Sequence, residues 1–175
     1  AHCCRPSMAA LGQWRARANA MQQQILSRSW NSRLGAFAST FGGDDVDASV
    51  LLLPELGLIS AADPRFHATV RVVGKRLAVG PLVYRYLHTD DFGAPETTFT
   101  ICAFWYINAL AAIGDVVEAR ERFGALLRYC NPVGLLSEDI DPRQGELWGN
   151  FPQTYSLVGL INAALRLSQS WEAAL

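Results

Sequence analysis

Segments that are apolar on one face alternate along this chain with segments that are apolar nearly all round, and no other feature constrains the fold as tightly. Leu11, Trp14, Ala18, Met21 and Ile25 recur at steps of three and four with Gln, Arg and Ser between them, the pattern of an amphipathic helix lying on a surface. The next candidate, "DASVLLLP" from Asp47, has an acidic residue placed to cap its start and is apolar nearly all round up to Pro54, which predicts a buried helix. Asp63 followed by Pro64 is a cap with Pro at the first helical position, and Phe66, Val70, Val73 and Leu77 mark a second one-faced helix. "TTFTICAFWYINALAAIG", Thr97 to Gly114, is apolar on every side and stops at a Gly suited to a C-terminal cap. Asp115 with Glu118 resembles a capping box, after which Val116, Ala119, Phe123, Leu126 and Cys130 trace one face among charged neighbours. Last, "YSLVGLINAALRLS" is again apolar nearly all round, predicting a third buried helix.

An exposed helix followed by a buried one, three times over, is what a double-layered array of helices requires, the outer layer shielding the inner from water. The fold class expected is all-α. Connections from exposed to buried helices are long, about Trp30 to Val46, Val79 to Glu96 and Asn131 to Thr154, whereas Gly114 to Asp115 is a tight turn. Long ordered loops are usually functional, and in such an array all three fall at the same end. That end is where a site is expected.

Composition narrows the class of function. With 175 residues the chain can hold one domain with a real core, and a formal net charge of -1 gives no basis for binding a polyanion. No nucleic-acid partner is expected. The longest apolar runs are interrupted by Asn and Gly and fall short of the roughly 20 residues needed to cross a bilayer, so no membrane partner is expected either, and the chain reads as soluble and cytoplasmic. Cys3, Cys4, Cys102 and Cys130 form no CxxC pair and have no His at metal-ligand spacing, which points to reduced structural thiols, with no metal and no cofactor. The start "AHCCRPSMAALGQW" has neither an apolar signal region nor an initiator Met. The chain therefore reads as a fragment.

Several separated motifs carry a resemblance: "DASVLLLPELG", "DPRFHATV", "LVYRY", "ETTFTICAFWYINALAAIG" and "GLLSEDIDPRQGELWGNFPQTYS". In this order and spacing, from about Trp14 to the end of the chain, they resemble the C-terminal part of the catalytic domain of glycoside hydrolase family fifteen, the bacterial glucoamylases and trehalases. The resemblance implies that residues 1–175 form a single partial catalytic domain, the C-terminal half of an (α/α)6 toroid with three of its six helix pairs, and inverting hydrolysis of terminal alpha-glucosidic bonds in maltooligosaccharide- or trehalose-type substrates. It also implies two catalytic carboxylates, of which the general acid lies upstream of the region covered here. The expected partners are an alpha-glucoside substrate and either the missing N-terminal half of the domain or a second copy of the chain.

Inverting glycosidases set one carboxylic acid to protonate the leaving oxygen and one carboxylate to activate water, about 6.5–9.5 Å apart. Glu138 in "LLSED" matches the family's base; read without the motif it is a solvated loop carboxylate. Asp139 and Asp141 fit capping or turn roles beside the turn signals "DP" and "QG". Arg85 in "VYRY" stands where the family holds the sugar next to the scissile bond, a task suited to a guanidinium fork; a structural ion pair with Glu96 or Asp91 fits it equally. Glu96 matches an acidic position near the sugar, or is a helix-start carboxylate favoured by the macrodipole. Sugar sites combine aromatic platforms with polar groups, which makes Trp105 and Trp148 substrate-binding candidates. Trp105, inside an all-apolar helix, fits the core; Trp148, in a long loop, fits the site. Asn150, Gln153, Pro152 and Gly149 shape their loop first, Asn150 and Gln153 touching sugar hydroxyls as the second reading. His2, His67 and His88 have no triad partner in any recognisable motif. The competing class is a helical-repeat interaction module without catalysis, against which stand the unrepeated motifs and unequal loops. Arg85, Glu138 and one of Trp105 and Trp148 are expected at one concave face.

Overall fold

The computed structural model describes residues 8–91 and 93–168. Helix α1 (Met8–Arg28) leads into a two-residue hairpin, β1 (Trp30–Asn31) against β2 (Ala36–Phe37), and then a short 3₁₀ helix, Ala48–Leu52. Helix α2 (Pro64–Leu77) is followed by the hairpin β3 (Ala78–Val79) and β4 (Leu82–Val83). Strand β5 (Thr98–Phe99) runs straight into α3 (Thr100–Ala112), a tight turn gives α4 (Val116–Leu126), and β6 (Asp139–Ile140) and β7 (Leu147–Trp148) precede α5 (Thr154–Leu167). The array is helix-rich, and its long loops are pinned by these short antiparallel ladders.

Helix α3 is the hub. Ten of its residues, including Ile101, Phe104, Ile107 and Leu110, are buried, and α5, α4, α2 and the 3₁₀ helix all pack on it. The expected start of α2 is present in full: Asp63 Oδ1 accepts from Arg65 N at 2.8 Å and Pro64 takes the first helical position. Phe66, Val70, Val73 and Leu77 face inward as the spacing requires. Gly114 adopts φ 94° just past α3, the left-handed conformation that ends helices.

Four expectations need correction. "DASVLLLP" forms a five-residue 3₁₀ helix rather than an α-helix; Asp47 caps it through Ser49 N at 2.8 Å, but a continuous apolar run carries no period, and Pro54 lies too close for an α-helix to grow. Thr97 to Phe99 are not helical: Thr98 and Phe99 pair with Ile140 and Asp139, so tertiary pairing overrides the apolar run. Asp115 makes no capping bond at α4. Its carboxylate is instead taken by Arg71 of α2, and Arg122 binds Glu118 at 2.8 Å and the Gly80 carbonyl at 2.8 Å, tying the outer helices together. Finally, α5 is buried on one side only, through Ser156, Gly159, Ala163 and Leu167; Tyr155, Val158, Ile161 and Leu165 are exposed on the other. Helix α1 fully buries none of its residues: of the stripe read from its sequence, Trp14, Ala18 and Met21 are exposed and Leu11 is half-buried, while Ile25 packs against the core.

Candidate active site

The loops after β4 and after α4 meet at the start of α3. Thr98 Oγ1 donates to the Ile140 carbonyl at 2.8 Å, fully buried, and Thr100 N donates to the Glu138 carbonyl at 2.9 Å. Ser156 Oγ, at the start of α5, donates to the Ser137 carbonyl at 2.8 Å. Two inner helices therefore hold the backbone on either side of Glu138. Such support from rigid elements fixes a reactive side chain better than a free loop would.

Arg85 arrives from another direction. Tyr84 N donates to the Leu77 carbonyl at 2.9 Å and Ala48 N to the Arg85 carbonyl at 2.8 Å, which clips this strand end to the 3₁₀ helix. The Arg85 guanidinium donates through Nε to Asp47 Oδ2 at 3.2 Å, so its ion pair is with Asp47, and neither Glu96 nor Asp91 takes that part.

Arg85, Glu96 and Glu138 line one cavity of about 520 Å³. Asp90 and Asp139 line it as well, giving four carboxyl groups around one guanidinium. Glu96 lies four residues ahead of α3, outside its first turn, and forms no ion pair among the described residues. Burial pushes the Asp139 carboxyl above its ordinary value, the neighbouring Glu138 charge adds to this, and the hydroxyl of Thr97, donating at 2.8 Å, works the other way. Asp139 is thus a pocket group rather than a turn residue.

The aromatic walls are Tyr86 and Phe99. Tyr86 stacks on His88 with centroids 4.3 Å apart and donates its hydroxyl to Asp90 Oδ2 at 2.6 Å, which holds the phenol neutral above its ordinary value. The two tryptophans do not line the cavity. Trp105 is half-buried on α3 and meets Tyr155 edge-on at 6.1 Å, and Tyr155 in turn meets Phe99 at 6.4 Å, so Trp105 buttresses the wall through one intervening ring. Trp148 is 54% exposed and donates to Glu146 Oε2 at 3.3 Å. Sequence reasoning passed over Tyr86, although it adjoins Arg85 in "VYRY", and lost Phe99 inside an apolar run that looked uniformly helical.

Among the described residues no group of three or more His, Cys, Asp or Glu could hold a metal ion, and no helix is long and apolar enough to cross a membrane. Cys102 and Cys130 are free thiols, both pushed up by burial and therefore poor nucleophiles. Cys3, Cys4 and His2 lie outside the described residues.

The model of the glycosyl hydrolases family 15 matches residues 7–165. The chain belongs to this family. It is 39% identical over 165 residues to a trehalase of Mycolicibacterium smegmatis, covering 93% of this chain and 25% of that enzyme. A trehalase of Thermoplasma volcanium is 34% identical over 163 residues, covering 93% and 26%. Among solved structures, a wild-type glycosidase superposes with a TM-score of 0.77 at 19% identity, over 95% of this chain and 47% of that one. A glycosidase variant with a Glu-to-Ala substitution, in complex with glucose, gives 0.75 at 21% identity, over 94% and 46%. The chain thus spans about a quarter of the curated relatives it matches and just under half of the solved chains.

Proposed function

We propose that this chain is the base-bearing part of an inverting alpha-glucosidase domain, with Glu138 as the general base. The observation that carries the reading is the convergence of Arg85 and Glu96, from the loop between β4 and β5, with Glu138, from the loop after α4, on one cavity in a chain of a glycosyl hydrolase family. A helical-repeat interaction module gives no reason for that convergence. Glu138 takes a proton from water as the water oxygen attacks the anomeric carbon; the glycosidic bond breaks, and the leaving oxygen takes a proton from an acid outside this segment. Arg85 and Glu96 bind sugar hydroxyls, and Tyr86 and Phe99 offer ring faces to the apolar sides of the glucose. Trehalose is the favoured substrate, because the relatives matched over 93% of the chain carry the name trehalase, with maltooligosaccharides second.

In the same reading the helices form three of six pairs in an (α/α)6 toroid, and the preceding part of the domain supplies the remainder. The test is Glu138→Gln in the complete catalytic domain. Sugar binding and the fold should persist while turnover falls about 10²–10⁴-fold, the usual cost of a missing general base. Near wild-type kcat in that variant would mean that another carboxylate is the base.

A further inference from the structure

The Glu138 carboxylate is held unsymmetrically. Asn150 donates to Oε2 twice, from its side-chain Nδ2 at 2.7 Å and from its backbone N at 3.2 Å. The strand geometry makes this possible, because Glu138 N donates to the Asn150 carbonyl at 2.9 Å, so the two residues face each other across the loop. Gly149, which precedes Asn150, lies close against the Glu138 side chain. Its φ of 75° is one that residues with a side chain rarely adopt, and a Cβ there would sit 3.0 Å from both Glu138 Cβ and Oε2. Oε2 therefore meets both the bare backbone of Gly149 and the amide donors of Asn150. No described hydrogen bond reaches Oε1.

We infer that Asn150 is a positioning residue for the base: it fixes Oε2 and so presents Oε1 as the oxygen that receives the proton from the attacking water. This rests on Glu138 being the base. A carboxylate with both oxygens free rotates about its last bond and spreads its basic lone pairs over many directions. Two donors on one oxygen remove that freedom, and holding a catalytic group in its reactive geometry raises turnover rather than sugar affinity. Asn supplies what is needed at this place: a neutral donor short enough to reach back to a residue paired with its own backbone. The sequence offered only the loop motif "GNFPQ", which is why Asn150 was read there as a loop-shaping residue.

The experiment compares Asn150→Ala, Asn150→Asp and Glu138→Gln in the complete catalytic domain, following glucose release from trehalose and from maltose. Asn150→Asp keeps the shape while replacing the donor with an acceptor, so it remains informative should the alanine variant fold poorly. Expected for both is a fall in kcat on the order of 10–100-fold with KM within about twofold, the scale of a misplaced catalytic group, and an unfolding midpoint close to the parent. If Glu138→Gln abolishes turnover while both Asn150 variants keep kcat within about twofold, the positioning role is wrong and the base assignment stands. A raised KM at unchanged kcat would make Asn150 a sugar contact instead. Unimpaired turnover in Glu138→Gln would remove the base assignment, and the role of Asn150 with it.

Discussion

Asp47 does two jobs with its two carboxylate oxygens, Oδ1 capping the 3₁₀ helix at Ser49 N and Oδ2 holding Arg85. The two separate on substitution. Asp47→Asn keeps a good capping side chain and loses only the ion pair, whose guanidinium is 53% exposed, so the cost in stability should stay below about 1 kcal/mol. Asp47→Ala loses the cap as well, adding about 1 kcal/mol. Urea titrations giving equal losses for the two variants would show that the cap contributes nothing. Asp139 gives a prediction of opposite sign. Its folded-state pKa is raised by burial, so the folded protein holds that proton at pH values where the unfolded chain has released it. Ionised Asp139 therefore costs stability at neutral pH, and the cost fades as pH falls through the folded pKa toward the ordinary value of about 3.9. Asp139→Asn can still accept from Thr97 and should be more stable than the parent at pH 7, with the advantage gone near pH 4; an advantage independent of pH would refute the burial argument. Arg85 and Glu138 were legible in the sequence because each sits in a recognisable motif. Their partners Asp47 and Asn150 were not, since pairing across 38 and 12 residues depends on loop register that no local pattern encodes.

At the scale of elements, α2 was readable because cap, proline and a period of 3.6 all agree, and consistency across levels is what makes a segment predictable. The 3₁₀ helix and β5 were misread because continuous apolar runs have no period to read. The α3–α5 contact had no signature in sequence at all, and it turns on one missing side chain. A Cβ at Gly159 would lie 2.6 Å from Ile101 Cδ1 and 2.8 Å from Phe104 Cδ2, both fully or nearly fully buried. Overpacking a core costs about 1–3 kcal/mol, against a gain of about 0.8–1 kcal/mol in helix propensity for Gly to Ala. Packing wins, so Gly159→Ala should be neutral to destabilising by up to about 2 kcal/mol. Gly124 in α4 has nothing within 4 Å of the corresponding position; Gly124→Ala keeps the propensity gain and should stabilise by about 0.5–1 kcal/mol. Opposite signs for one chemical change, read from chemical denaturation midpoints, are the expected outcome, and a stabilising Gly159→Ala would show that α5 does not sit this close to α3.

For the whole molecule, the first and last described helices each carry several exposed large apolar side chains. On α5, Tyr155, Val158, Ile161 and Leu165 share one face at 46%, 44%, 54% and 68% exposure, while on α1 Met8, Trp14 and Met21 are 83%, 58% and 63% exposed. A contiguous apolar face of this kind on a monomer marks a surface that something covers. The chain spans about a quarter of its trehalase relatives, and in the function proposed above the cover is the rest of the toroid, which would also bring the general acid. Two consequences follow for the chain taken alone. It should self-associate through these faces, with sedimentation velocity showing mass that rises with concentration, and Ile161→Glu with Leu165→Glu should shift it toward the monomer. Under the proposed function it should also release no glucose from trehalose or maltose, because a base without an acid would leave the glycosidic oxygen unprotonated as the bond breaks. Covering the faces without adding the acid, as self-association does, should leave that inactivity unchanged, so the charged double variant and the parent chain should be equally inactive. A monodisperse monomer at every concentration would refute the uncovered-face argument, and glucose release by the purified chain at the rate of an intact family member would refute the missing acid.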